Sequence, residues 1–392
     1  MVGATFQHAP WKFNTHCVSA SSLSSSDLGA LELIHVGRVV LSLLAVVYVV
    51  LDDEPFWRSA SIRLVKCHSP VCHDCLDHKR QMVSAIHRFF IALAVTLYVA
   101  EGLSVGINVD PMNPTGWPSS PTLAATGTQW IRLEFKATPN FPTAMAQYKA
   151  WTATLHSAGF SVLLIIDYSS QPDNIPWGHT NPSEWTSYIA SFGSRCAEIA
   201  GNLTNGTVKA YEIWNEPDLT QTHVPAAAYG LLLKAAHAAL KGVDPSAVVV
   251  MGGLASGNPG YVTSSAAATG GFLHADQVGL HPYGQRPFPN WPNPTWGFGY
   301  IGDLINNYLA TAPMANQRLP IMITEVGTSD TSVQGPFPWM VFDSVATSYT
   351  RLQVSAVIWF CWSDGMVSPF GLVTSSGTEK ADYHSFVNFT RS

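Results

Sequence analysis

The chain has 392 residues, of which 47% are hydrophobic and only 12% charged, and its formal net charge is −6. An acidic chain so poor in charge lacks the basic face that phosphate binding needs, which excludes nucleic acid as a partner. Its 13 Trp, 13 Tyr and 18 Phe provide rings able to stack on sugars, although the same rings serve equally as core.

In chain order, residues 1–81 read as an irregular extension. SASSLSSSD at 19–27 is low in complexity. VVLSLLAVVYVVL at 39–51 is shorter than the roughly 20 apolar residues that span a bilayer, and Glu32, His35 and Arg38 oppose lengthening it. CHSPVCHDCLDH at 67–78 has Cys and His at short intervals but not the two separated pairs of a zinc site, so no metal is expected there. Met82 then opens MVSAIHRFFIALAVTLYVAEG, with a basic His-Arg start, an apolar centre and a small residue, Ala100, before Glu101. That is the layout of a secretory signal. The expectation is that 82–102 is a signal peptide or membrane anchor, that the protein is secreted or extracytoplasmic, either released with transient membrane contact through this apolar segment or anchored by it, and that 1–81 precedes the native start. The alternative is a genuine membrane-proximal extension.

From residue 103 onward the pattern is regular. SVGINVD (104–110), QWIRLEF (129–135), SVLLIID (161–167), VKAYEIW (208–214), AVVVMGG (247–253), QVGLHPY (277–283), LPIMITE (319–325) and VSAVIWF (354–360) are short β-rich runs bounded by Gly, Pro and polar residues. Such runs predict parallel strands buried on both faces. Helical stretches separate them at 142–159, 182–201, 226–243, 300–312 and 341–352, and one at 381–390 closes the chain; those after residues 110 and 253 are weak. Alternating βα units over 103–392 predict an α/β domain, a (β/α)8 TIM barrel, whose usual size is about 250 residues. A doubly wound sheet is the alternative, but NVDPMNPTGW after the first strand is not its Gly-rich phosphate turn. Only Cys196 and Cys361 fall in this part, too few for a disulfide scaffold, and their pairing is not legible in sequence.

Barrel active sites lie at the C-terminal ends of the strands. YEIWNEPD at 211–218 carries a strand into Asn215 and Glu216 and stops it at Pro217, which has no amide hydrogen for the ladder. The sixth strand ends in His281-Pro282-Tyr283 and the seventh in Thr324-Glu325, while Arg132 lies on the second and Trp359 on the eighth. Two carboxylates at one mouth suit glycoside cleavage, one protonating the leaving oxygen and the other attacking the anomeric carbon. Arg132 and Tyr283 are placed to stabilise Glu325, Asn215 to bind a sugar hydroxyl, and Trp359 to floor the sugar ring. Glu212, one layer deeper than Glu216, reads as a structural carboxylate. His179 in YSSQPDNIPWGHT and Trp291 and Trp296 in GQRPFPNWPNPTWGFG lie on loops near the mouth. No metal ligand set accompanies His281, and neither a metal nor another cofactor is expected.

WNEP on the fourth strand, HPY on the sixth, ITE on the seventh, IWFCW on the eighth and the tail PFGLVTSSGTEKADYHSF resemble the clan A retaining glycoside hydrolases. Within that clan the chain is similar to the cellulase-type family 5 and the β-xylosidase-type family 39. The resemblance implies a retaining hydrolase of β-glycosidic bonds in plant- or microbe-derived oligo- or polysaccharides. Glu216 matches the acid/base, Glu325 the nucleophile and Asn215 its preceding partner; Arg132, His281, Tyr283 and Trp359 match supporting, substrate-binding positions. A carbohydrate substrate and a monomer are expected. The alternative is a catalytically weak sugar-binding or membrane-tethered surface protein on the same barrel.

Overall fold

The computed structural model describes residues 103–392 except 177, 180, 204–205, 221–222 and 290–298. The expected signal segment and the extension before it, the Cys/His run at 67–78, and Trp291 and Trp296 lie outside the described residues. Among the described residues no helix is long and apolar enough to cross a membrane.

Eight strands form a closed parallel barrel, β1 (Ser104–Asn108), β2 (Trp130–Glu134), β3 (Ser161–Ile166), β4 (Ala210–Ile213), β5 (Val248–Leu254), β6 (Gln277–Leu280), β7 (Ile321–Val326) and β8 (Val354–Trp359). Ile107 of β1 lies opposite both Ile131 of β2 and Trp359 of β8, and that double pairing closes the ring. Side chains alternate between its faces. Ile107, Leu133, Leu164, Ile213, Met251, Leu280, Ile323 and Val357 join the helices in the outer core. Leu163, Ala210, Val250, Met322, Ala356 and Ile358 fill the barrel interior. Both faces are therefore apolar, which is why the strands read as continuous hydrophobic runs.

The helices are α1 (Ser120–Ala125), α2 (Phe141–Ser157), α3 (Pro182–Asn202), α4 (Ala226–Val243), α5 (Pro259–Ala267), α6 (Ile301–Leu309), α7 (Ala312–Gln317), α8 (Pro336–Ser348) and α9 (Ala381–Thr390). Local chemistry starts several of them. Asn140 and Asn181 cap α2 and α3 through their side-chain oxygens, Glu184 completes a capping box, and proline occupies the first turn of each. The two weakly signalled helices are α1 and α5, only 6 and 9 residues long, each begun by a side-chain cap and a proline. The helix expected over 300–312 ends at Leu309, and Pro313 lies in the first turn of a second short helix, where its missing amide hydrogen does no harm. The one expected over 341–352 begins earlier, at Pro336, and stops at Ser348.

At the junction of α8 and α9, the buried Asp382 accepts the Gly335 amide hydrogen at 2.6 Å, and burial raises its carboxyl to about 6. That value lies above the ordinary 3.8, so ionisation costs stability: the penalty is absent below about pH 4, grows as pH rises, and is complete above about pH 6. Asp382→Asn keeps the acceptor without the charge. It is expected to match the wild type at pH 4 and to exceed it by about 1–3 kcal/mol, a few degrees in Tm, at pH 8. Thermal melts of both proteins between pH 4 and 8 check this; a difference independent of pH would refute it.

Candidate active site

Period-2 alternation on β2 turns Arg132 into the lumen, where it is 1% exposed. Its Nε donates to Glu212 Oε2 at 2.6 Å, Nη1 to Glu325 Oε1 at 2.5 Å and to Asn108 Oδ1 at 3.0 Å, and Nη2 to Asn215 Oδ1 at 2.8 Å. Burial by itself would lower the guanidinium pKa. The charges of Glu212 and Glu325 outweigh it, and the net direction is upward. One planar cation thus ties together the ends of β1, β2, β4 and β7. Glu212, fully buried, also accepts the Gly253 amide hydrogen at 3.1 Å, so it is a structural carboxylate as its depth implied. Glu134, two residues further along β2, accepts from Ser169 Oγ at 2.5 Å and pairs with Lys136 at 3.5 Å.

Where β4 ends the backbone leaves regular geometry. Trp214 and Glu216 adopt φ of 73° and 47°, in the left-handed region that bulky residues avoid. Flanking hydrogen bonds hold the turn: Trp214 N–H to Ile166 O at 2.8 Å and Glu216 N–H to Gly253 O at 3.1 Å. Such an imposed conformation aims the Glu216 side chain into the mouth, where it is 19% exposed. Its Oε1 lies 3.0 Å from His281 Nδ1, and the other ring nitrogen lies 3.0 Å from Thr324 Oγ1. Burial lowers the His281 pKa, but the charge of Glu325 and the bond to Glu216 more than offset it, so the net shift is upward.

Glu325 reaches the lumen through a bulge. Between Val357 and Trp359 of β8, two steps along the strand face three on β7, from Ile323 to Val326. The extra residue lets the consecutive Thr324 and Glu325 both contact lumen groups, a way strands re-aim side chains beside sites. Tyr283 Oη donates to Glu325 Oε2 at 2.8 Å. Burial and then the Glu325 charge hold the phenol far above its ordinary pKa, so it remains a donor. Ligand atoms of Glu216, His281 and Glu325 all lie within 4.8 Å of one another, the one such group among the described residues. A cation there would have to compete with Arg132 and Tyr283, which already occupy both Glu325 oxygens.

Six of the seven expected site residues, Arg132, Asn215, Glu216, His281, Tyr283 and Glu325, come together. Trp359 does not, and the expectation of a sugar floor there is corrected. It is fully buried on the outer face of β8, packed edge-on against Phe337 and Phe342 of α8. The lumen-facing neighbour is Phe360, half-buried and in ring contact with Tyr283 and Phe370. His179 packs edge-on against Trp185 and Tyr188 of α3. Sequence reasoning missed Asn108, Thr324, Phe360 and the half-exposed group of Asp110, Lys136 and Glu134 at the mouth. Asn108 and Asp110 end the first strand run, so the strand-end rule contained a signal for both. Cys196 and Cys361 are both free and buried.

Residues 118–365 match the family described as Cellulase (glycosyl hydrolase family 5), a segment that runs from before β2 past β8 and includes both glutamates. The chain belongs to glycosyl hydrolase family 5. Among solved structures the barrel is similar to a family 39 glycoside hydrolase from Bacteroides cellulosilyticus WH2, with a TM-score of 0.54 and 19% identity over 74% of this chain and 64% of that one. It is also similar to a monomeric β-xylosidase from Caulobacter crescentus CB15 (0.53, 17%, 74% and 69%). A third is a GH5_18 protein from Bifidobacterium longum subsp. infantis (0.53, 17%, 74% and 79%). At these identities the likeness is one of fold, and the chain spans just under two thirds of the first of these. A comparison with curated proteins finds no match.

Proposed function

We propose that this family 5 member is a retaining β-glycosidase working by double displacement on an oligo- or polysaccharide, with Glu325 as nucleophile and Glu216 as acid/base. The observation that carries the reading is the asymmetry of the two carboxylates. Glu325 has both oxygens held, one by the charged Arg132 and one by Tyr283. Donors to both oxygens hold and aim the carboxyl group, as attack on an anomeric carbon needs. Glu216 is the more exposed of the two and faces His281, which suits a group that gives and takes a proton. Their oxygens approach within 4.8 Å. Retaining enzymes place the carboxyl groups about 5–5.5 Å apart, whereas inverting ones leave about 6.5–9.5 Å for a water. Asn215, fixed by Arg132, is placed to meet a sugar hydroxyl, and Phe360 with Tyr283 and Phe370 replaces Trp359 as the apolar wall.

A panel of aryl β-glycosides and β-linked polysaccharides tests the reading, with NMR of the first-formed product. Turnover with the β-anomer formed first is expected. An α-anomer would overturn retention, and saturable sugar binding without turnover would favour the sugar-binding alternative. Secretion from Met82 is part of the same proposal, supported by the basic-apolar-small layout at 82–102. Expression from Met82 should yield an exported chain beginning near Glu101; retention inside the cell would refute it.

A further inference from the structure

Gly252 and Gly253 are the only place where β5 breaks register. Between Met251 and Leu254 three steps on β5 face two on β6, from Val278 to Leu280. Glycine inside a strand commonly marks such a bulge or a close approach of other groups, and Gly253 shows both. Its amide hydrogen bonds Glu212 Oε1 at 3.1 Å, and its carbonyl accepts the Glu216 amide hydrogen at 3.1 Å. A Cβ added at Gly253 would stand 2.2 Å from His281 Cδ2, 2.3 Å from Nε2 and 2.8 Å from Thr324 Oγ1. Its φ is outside the left-handed region, so the backbone itself would accept alanine.

We propose that Gly253 is a positioning residue for the reaction: its carbonyl anchors the backbone of Glu216, and its missing side chain leaves the space in which His281 reaches that residue's carboxylate. The inference rests on the acid/base reading of Glu216 for its kinetic consequence only. The ring of His281 is held between Glu216 and Thr324, with Glu325 Oε2 at 3.9 Å, Glu212 Oε1 at 3.8 Å and Arg132 behind them. It has no room to retreat from a methyl group at 2.2 Å without losing one of those partners. Gly253 therefore couples the β4 turn to the β6 histidine.

The test is a double-mutant cycle of Gly253→Ala and His281→Ala, read by Tm, by NMR titration of the His281 ring, and by turnover of aryl glycosides. In Gly253→Ala the His281 titration should move back toward the ordinary 6.5 from its raised value. kcat should fall about 100-fold or more for poor leaving groups, the scale of a general acid's contribution, and little for dinitrophenolate. In the His281→Ala background the ring clash is gone and only the 2.8 Å approach to Thr324 Oγ1, a side chain then free to turn, remains, so adding Gly253→Ala should cost clearly less in Tm and in rate than it does in the wild type. If Gly253→Ala alone does not fold, the double variant should. Equal costs in both backgrounds, or an unchanged His281 titration, would overturn the proposal; the Tm and NMR arms need no turnover, so they stand apart from the glycosidase reading.

Discussion

Glu325→Ala is expected to lower kcat by about 10⁴- to 10⁶-fold on every glycoside, as removal of an enzyme nucleophile does. Among the described residues no other group is in place to form the glycosyl bond, because the remaining carboxylates facing the lumen have other tasks. Glu212 is spent on Arg132 and Gly253, and Glu216 is turned toward His281. Added azide fits the vacated volume and attacks the anomeric carbon directly, giving the inverted glycosyl azide. Glu216→Ala should behave differently. Its loss removes protonation of the leaving group, worth about 10²–10⁴-fold, so dinitrophenyl glycosides should still form the glycosyl-enzyme while poor leaving groups fail. Azide should then rescue the second step with retained configuration. The opposite pattern in the two variants would reverse the assignment, and near-native rates in both would sink the mechanism.

Arg132→Ala is expected to destabilise the whole barrel by about 3–5 kcal/mol, the cost of leaving a buried charge without its partner. Arg132 faces two carboxylates, at 2.6 Å and 2.5 Å, with 1% of its surface exposed, and its removal leaves Glu212 in the lumen with the Gly253 amide and, at 3.8 Å, His281 Nε2. Arg132→Ala/Glu212→Ala should be more stable than Arg132→Ala alone because the orphaned charge is gone. That recovery should not restore turnover, since Glu325 and Asn215 stay unheld. Thermal melts with kinetics on the double variant separate the two effects. A single variant as stable as wild type at pH 8 would show that the ion pairs add nothing to the fold.

The amino-acid sequence by itself determined the barrel and where along the chain its reactive carboxylates fall. Short β-rich runs alternating with helical stretches leave few arrangements, and Pro217 and the polar residues after each run mark strand ends. Those ends became the mouth, which brought Glu216 and Glu325 within reach of one another although 109 positions separate them (325 − 216). The tertiary structure alone decided which face each residue uses. In a parallel strand buried on both sides the two faces are equally apolar, so period 2 shows that Trp359 and Phe360 point oppositely without showing which enters the lumen. Closure against β1 and α8 put Trp359 outside. The bulges that turn Glu325 inward and make room at Gly253 arise from mismatched lengths of paired strands, a relation between segments that neither segment carries. The five-donor fork of Arg132 likewise depends on partners 80 and 193 residues away, and only the closed ring makes them neighbours.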